Sequence, residues 1–229
     1  CKGNELCAQW GIDSISFGTT VAMAMECFEK GILKPKDTGG LELRFGNAEA
    51  MLKLIELVAR REGIGDLLAE GAEVAAKKIG KGAQKYALHI KGQPLPMHEP
   101  RGKKSLALAY AVSPTGADHL ENPHDPFFEK EGGLKDIHPF GILDPLPALD
   151  LGAQKVRMFA YLQQYYNWLN SIGLCIFVAK PFGPFTVTQL VEYTRAITGW
   201  DTSLWEALKV GERHSAMARI FNLREGIGS

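Results

Sequence analysis

Apolar residues in this chain recur at intervals of three and four, segment after segment, and almost nowhere alternate one by one. Phe17, Val21, Ala24, Met25 and Phe28 form one such stripe, Met51, Leu52, Ile55, Val58 and Ala59 a second, and Val156, Phe159, Ala160 and Tyr166, with the polar Gln163 on the same face, a third. That spacing fits one face of an α-helix and cannot line one face of a strand. The chain is therefore expected to be all-α and multihelical.

Punctuation supports the same reading. Asp13-Ser14 is a helix start, Gly31 and Gly80 are stops, and a segment from Leu67 to Ile79 is interrupted by Gly71. Thr186-Val187-Thr188-Gln189 and Ser203-Leu204-Trp205-Glu206 fit capping boxes ahead of two closing helices. Ser105 to Val112 predicts a short, Ala-rich helix, and Leu149 to Leu169 a long one with an aromatic wall. The best strand candidate is Tyr86 to Ile90. Breakers crowd Gly92 to Gly102, so the domain boundary is placed there, with helical domains at 1–91 and 92–229. Asn122 to Pro147, rich in Pro, Gly and acidic residues, reads as a long ordered loop.

Composition excludes several functions. The 26 basic and 26 acidic residues cancel, so no net field favours nucleic acid or an anionic membrane surface. No apolar run approaches the roughly 20 residues a membrane helix needs. A soluble, cytoplasmic protein is expected. The chain opens on Cys1 rather than Met, which suggests a piece of a longer polypeptide. Cys1, Cys7, Cys27 and Cys175 are too few for a disulfide framework and show no C-x2-C spacing. Gly80-Lys81-Gly82 lacks the order of a phosphate loop.

Two six-residue stretches share a form, x-x-x-Gly-aliphatic-polar: Ala8 to Asp13, and Asn170 to Cys175. Either alone reads as a helix cap or turn. Their recurrence suggests loops that share one ligand, with Asp13 and Asn170 as hydrogen-bonding groups and Gly11 and Gly173 admitting close backbone approach. Cys175 is either a small buried hydrophobe, the simpler reading, or a ligand of an iron–sulfur cluster. The cluster needs three further thiolates, from Cys1, Cys7 and Cys27 or from an upstream segment. His119, in the turn-rich stretch after Gly116, is a candidate for proton transfer, because an imidazole titrates near about pH 6.5. His124 and His138 read as surface-loop residues, His89 and His98 as strand or turn residues, and His214 as a helical position.

Around these residues the chain resembles the C-terminal part of the tungsten-dependent aldehyde:ferredoxin oxidoreductase family. The matching stretches include Gly11-Ile12-Asp13-Ser14-Ile15-Ser16, Pro100-Arg101-Gly102, Gly116-Ala117-Asp118-His119-Leu120 and Asn222-Leu223-Arg224-Glu225-Gly226. The resemblance implies two helical domains of a larger oxidoreductase, in which two loops of form Asp-x-x-Gly-Leu-Asp and Asp-x-x-Gly-Leu-Cys contact a bis-pterin tungsten cofactor. Ala8, Gly11, Ile12 and Asp13 would stand in the first loop, and Asn170, Gly173, Leu174, Cys175 and Ile176 in the second. Thr115 would adjoin the cofactor and His119 would be the catalytic histidine. Cys175 would be the fourth ligand of a [4Fe-4S] cluster whose other cysteines lie upstream.

The implied activity is oxidation of a small aldehyde to a carboxylic acid, with electrons passing to ferredoxin. A homodimer and a missing N-terminal part of the same polypeptide are further expectations, and this piece alone should bind no tungstopterin and be inactive. The chain departs from the family at Ala8 and Asn170, which replace aspartates, at Ile12, and at Thr115 and Glu121, where basic residues are common. Two alternatives stand beside this one: a tungsten subunit of an aromatic acyl-thioester or carboxylate reductase, and a helical binding or scaffold module without cofactor.

Overall fold

The computed structural model describes residues 1–227 and divides into two compact units, 1–97 with 115–117, and 98–114 with 118–229. The described residues form ten α-helices, four short 3-10 turns and one two-stranded hairpin. The helical class read from periodicity is thus what the chain adopts.

The first unit holds α1 (Lys2–Trp10), α2 (Ser14–Glu29), α3 (Ala48–Arg60), α4 (Ile64–Leu68) and α5 (Ala72–Ile79). Asp13 caps α2 by accepting the amides of Ile15 and Ser16 at 2.8 and 2.9 Å, and Asn47 caps α3 through the amide of Ala50. Between α2, α3 and α5 lies an apolar core that includes Ala24, Cys27, Leu54, Ile55 and Ala76, all shut off from solvent. The segment expected at 67–79 is two helices, α4 and α5, separated at Gly71. The strand expected at Tyr86–Ile90 is mostly not one. A 3-10 turn takes Ala83–Tyr86, and only β1 (His89–Ile90) pairs, antiparallel with β2 (Gln93–Pro94). Pro94 lacks an amide to extend the ladder, and the chain leaves it after one turn. Lys91 and Gly92 form that turn, both at positive φ. The hairpin docks on α2, where the Thr19 hydroxyl donates to the Leu95 carbonyl at 2.8 Å.

The second unit is built on α8 (Ala153–Ser171) and α10 (Leu204–Arg224). They cross so closely at Gly211 that an added Cβ would lie 1.8 Å from the Gln164 carbonyl oxygen. Around them stand α6 (Lys104–Val112), α7 (Glu131–Leu134) and α9 (Val187–Thr198). Both capping boxes form, at Thr186 with Gln189 and at Ser203 with Glu206. The stretch from Asn122 to Pro147 is not a bare loop: it carries 3-10 turns at Asp125–Phe128 and Lys135–Phe140 with α7 between them. Phe128, Leu134 and Ile137 anchor it in the core beside Met158, Leu162, Tyr165 and Tyr166. Phe128 and, on the aromatic wall of α8, Tyr165 and Tyr166 are core residues.

A buried ion pair ties this segment down. The Lys155 ammonium donates to Asp125 at 2.8 Å with both side chains fully inaccessible, and the same carboxylate oxygen accepts the Ser105 amide at the start of α6. No described helix is long and apolar enough to cross a membrane.

Gly211→Ala should lower the thermal midpoint markedly, since the crossing must open to admit a methyl group. Overpacking of this kind costs about 3 kcal/mol. A calorimetric melt unchanged from wild type would contradict the crossing described here.

Candidate functional site

The two six-residue stretches have the same backbone. In the first, α1 ends, Gly11 takes φ 67°, the Gly11 amide donates to the Ala8 carbonyl, and the Ile12 amide reaches back to Cys7 at 2.8 Å. In the second, α8 ends, Gly173 takes φ 72°, its amide donates to the Asn170 carbonyl, and the Leu174 amide reaches back to Leu169 at 2.9 Å. Both are left-handed glycine caps that satisfy the last helical carbonyls. The polar residue that follows is extended in each, Asp13 at φ −61° and Cys175 at φ −65°. Ala8 and Asn170 are therefore residues of the last helical turns rather than of loops, and the recurrence of form is one turn used twice.

The two turns lie in different units, and so do the residues expected near a cofactor. Ala8, Gly11, Ile12, Asp13 and the exposed Thr115 belong to the first; His119 and Asn170 to Ile176 belong to the second. Cys175 is exposed, which removes the buried-hydrophobe reading. Cys7 and Cys27 are buried, and burial raises both thiol pKa values, so neither offers a thiolate. No group of three or more potential metal ligands exists among the described residues. Ile176 is buried, while Ile172 and Leu174 line an apolar cavity of about 550 Å³ with Phe185, Tyr193 and Trp200.

The chemically richest cluster surrounds His119. Its ring lies 4.7 Å from that of His98 at 32°, and 6.0 Å from that of His124. The His98 and His124 rings meet edge to face at 4.7 Å. The Lys103 ammonium sits 3.0 Å from His98 Nδ1 and 3.4 Å from His124 Nδ1, and His124 Nε2 lies 2.8 Å from the His119 carbonyl oxygen. Phe182 packs edge-on against His124, and the Tyr110 hydroxyl donates to the His98 carbonyl. Burial, then Lys103 and the two other imidazoles, holds His98 down to about 4. Burial also depresses His124 and Lys103. The cluster thus favours uncharged imidazoles, which can accept a proton or donate an N–H in a partly dry setting.

His124 read from sequence as a surface-loop residue, and that reading fails, since it is 6% exposed. His98, read as a strand or turn residue, lies in the irregular segment after the hairpin, and its half-buried ring joins the cluster. A usable signal was present: three of the six histidines fall between positions 98 and 124, together with Lys103. His138 and His89 lie outside the cluster, and His214 is on α10 as expected.

The description "Aldehyde ferredoxin oxidoreductase, domains 2 & 3" matches residues 1–229 without a gap at either end. The chain belongs to the aldehyde ferredoxin oxidoreductase family. It is 34% identical over 229 residues to a tungsten-containing aldehyde ferredoxin oxidoreductase of Pyrococcus horikoshii, covering 99% of this chain and 35% of that protein. Over 177 residues it is 34% identical to an aliphatic sulfonate oxidoreductase, WOR-like subunit, of Pyrococcus furiosus, covering 72% of this chain and 28% of the other. The fold matches the active site complex BamBC of benzoyl coenzyme A reductase, in complex with 1,5-dienoyl-CoA, with a TM-score of 0.68 at 24% identity, covering 94% of this chain and 36% of that one. The chain thus spans about a third of the length of the relatives it matches, the portion that corresponds to the C-terminal domains of an oxidoreductase.

Burial, and then the neighbouring Asp118, pushes the Glu121 carboxyl up to about 7, and His214 Nε2 is 3.9 Å away. A folded-state pKa above the unfolded value means that the folded form holds the proton longer, so stability falls as pH rises from about 4.3 toward 7 and then levels off. Glu121→Gln should therefore raise the melting temperature at pH 8 by a few degrees and leave it unchanged near pH 4. Equal melting shifts at both pH values would contradict this.

Proposed function

We propose that the chain forms the C-terminal helical domains of an enzyme that oxidises a small aldehyde to a carboxylic acid, with ferredoxin as electron acceptor. The observation that carries the reading is the family match along the full chain, joined to a histidine cluster at the position the resemblance marks as catalytic. A bis-pterin tungsten centre, when bound, supplies the two-electron oxidation.

The residues present fit such a group on two counts. Both Asp13 bonds within the cap go to Oδ1, which leaves Oδ2 for another donor. The Cys175 thiol is exposed just beyond a left-handed glycine whose missing Cβ leaves open space. Ala8, Gly11, Ile12 and Asp13 would hold one pterin, and Asn170, Gly173 and Leu174 the other. Ile176, its side chain in the core, would contribute backbone, and Thr115 would lie nearby. Cys175 would be a [4Fe-4S] ligand, completed by thiolates from outside this chain.

Converting an aldehyde and one water to a carboxylic acid releases two electrons and two protons. His119 is proposed to take a proton from the reacting oxygen, its imidazole kept in place by the bond from His124 to its carbonyl. His98 and Phe182 limit access of bulk water to the cluster. In the complete polypeptide, His119→Ala should cut turnover about 100-fold or more with metal content intact. Full turnover in that variant would remove His119 from the mechanism.

A second reading reverses the chemistry, as in an acyl-thioester or carboxylate reductase. The replacement of a cation by the near-neutral Glu121 and the exposed Thr115 favour a substrate unlike that of the relatives. Turnover of aldehydes without turnover of aryl thioesters would exclude it.

A further inference from the structure

The cluster contains a lysine that no part of the proposed mechanism uses, and its place in the geometry is specific. Lys103 precedes α6 and faces two imidazoles at once, through Nδ1 of His98 at 3.0 Å and Nδ1 of His124 at 3.4 Å. An ammonium has three donors and no acceptor. Each nitrogen that faces it must therefore present a lone pair, so the proton of each neutral ring must sit on Nε2. An independent contact agrees: His124 Nε2 lies 2.8 Å from the His119 carbonyl oxygen, which can only accept.

We propose that Lys103 is a positioning residue that locks His98 and His124 as neutral Nε2–H tautomers, so that His124 anchors the His119 backbone and His98 presents an N–H donor beside the His119 ring. The donor would meet a substrate oxygen while His119 takes the proton, a division of labour between two imidazoles 4.7 Å apart. The charged groups around the pair support the lock. His98 faces Lys103, His124 and His119; His124 faces Lys103 and His119, with Asp125 behind it. Protonating either ring at Nδ1 would set an N–H against an ammonium. The opposing charge beside His124 is Asp125, and its Oδ1 is already engaged by Lys155 and the Ser105 amide.

The kinetic part of this assignment rests on the reading of His119 as the proton acceptor, whereas the tautomer lock does not. Long-range 15N–1H spectra of the histidine-labelled full chain read tautomers directly. They should show Nε2–H for both His98 and His124 at neutral pH, and no protonation of His98 down to about pH 5, given its position near 4. Lys103→Gln and Lys103→Met should move both midpoints upward, by about one unit or more for His98, and should mix the tautomers, with circular dichroism confirming the fold.

In the complete enzyme, Lys103→Met should lower turnover about 10-fold or more and shift the acid limb of its pH profile. An Nδ1–H tautomer at either ring in the wild type, or midpoints unmoved in a folded variant, would overturn the lock. A lock seen by NMR with turnover and pH profile unchanged in Lys103→Met would instead overturn the catalytic division of labour, and a failure of His119→Ala to reduce turnover would remove His119 as proton acceptor without touching the lock.

Discussion

A single buried charge pair organises the second unit. Asp125 and Lys155 are both sealed from solvent, and between them they tie together the start of α6, the first turn of α8 and the Leu146 carbonyl. Removing one partner of such a pair leaves an uncompensated charge and costs about 3–5 kcal/mol, although the intact pair adds little net stability. Its value is therefore geometric. Asp125 follows His124 directly, and Lys103 lies two residues before Ser105, so one carboxylate sets where both arms of the histidine cluster begin.

The cluster then inherits its character from burial rather than from charge balance. Imidazoles set against one another and against an ammonium, with Phe182 on one edge, are worse places for a proton than water is. Glu121, close in sequence, is shifted in the opposite direction for the same reason, because desolvation penalises whichever form carries charge. A region that suppresses charge on both acids and bases is suited to moving protons in and out one at a time.

Much of this was legible in the sequence, where the determinants are local. The helix caps at Asp13, Thr186 and Ser203 need only three or four consecutive residues, and all three form. The repeated Gly-aliphatic-polar pattern marked a real backbone turn, because a left-handed position tolerates little besides glycine. What the sequence hid was long-range. His98, His119 and His124 come together across up to 26 positions, and nothing in the turn-rich segments that carry them has a period to reveal the convergence. Asn122 to Pro147 read as an ordered loop but showed none of its helical turns, for a related reason: they are held by Phe128, Leu134 and Ile137 pressing into a core supplied by other elements. The burial of Tyr165 and Tyr166 with hydroxyls that find no partner among the described residues was equally unreadable, since a phenol normally predicts a wet end.

Helix α10 has one more role. Besides crossing α8 at Gly211, it reaches back to the far end of α6, with Arg219 donating to the Val112 carbonyl and Asn222 to the Pro114 carbonyl. These partners precede it by over 100 positions. As the ribosome extrudes the chain, α6, the histidines and α8 all emerge before the strap that fastens them. The second unit must wait, with its apolar seams open, until α10 is out, so the interval just before that point is when a chaperone has most to shield.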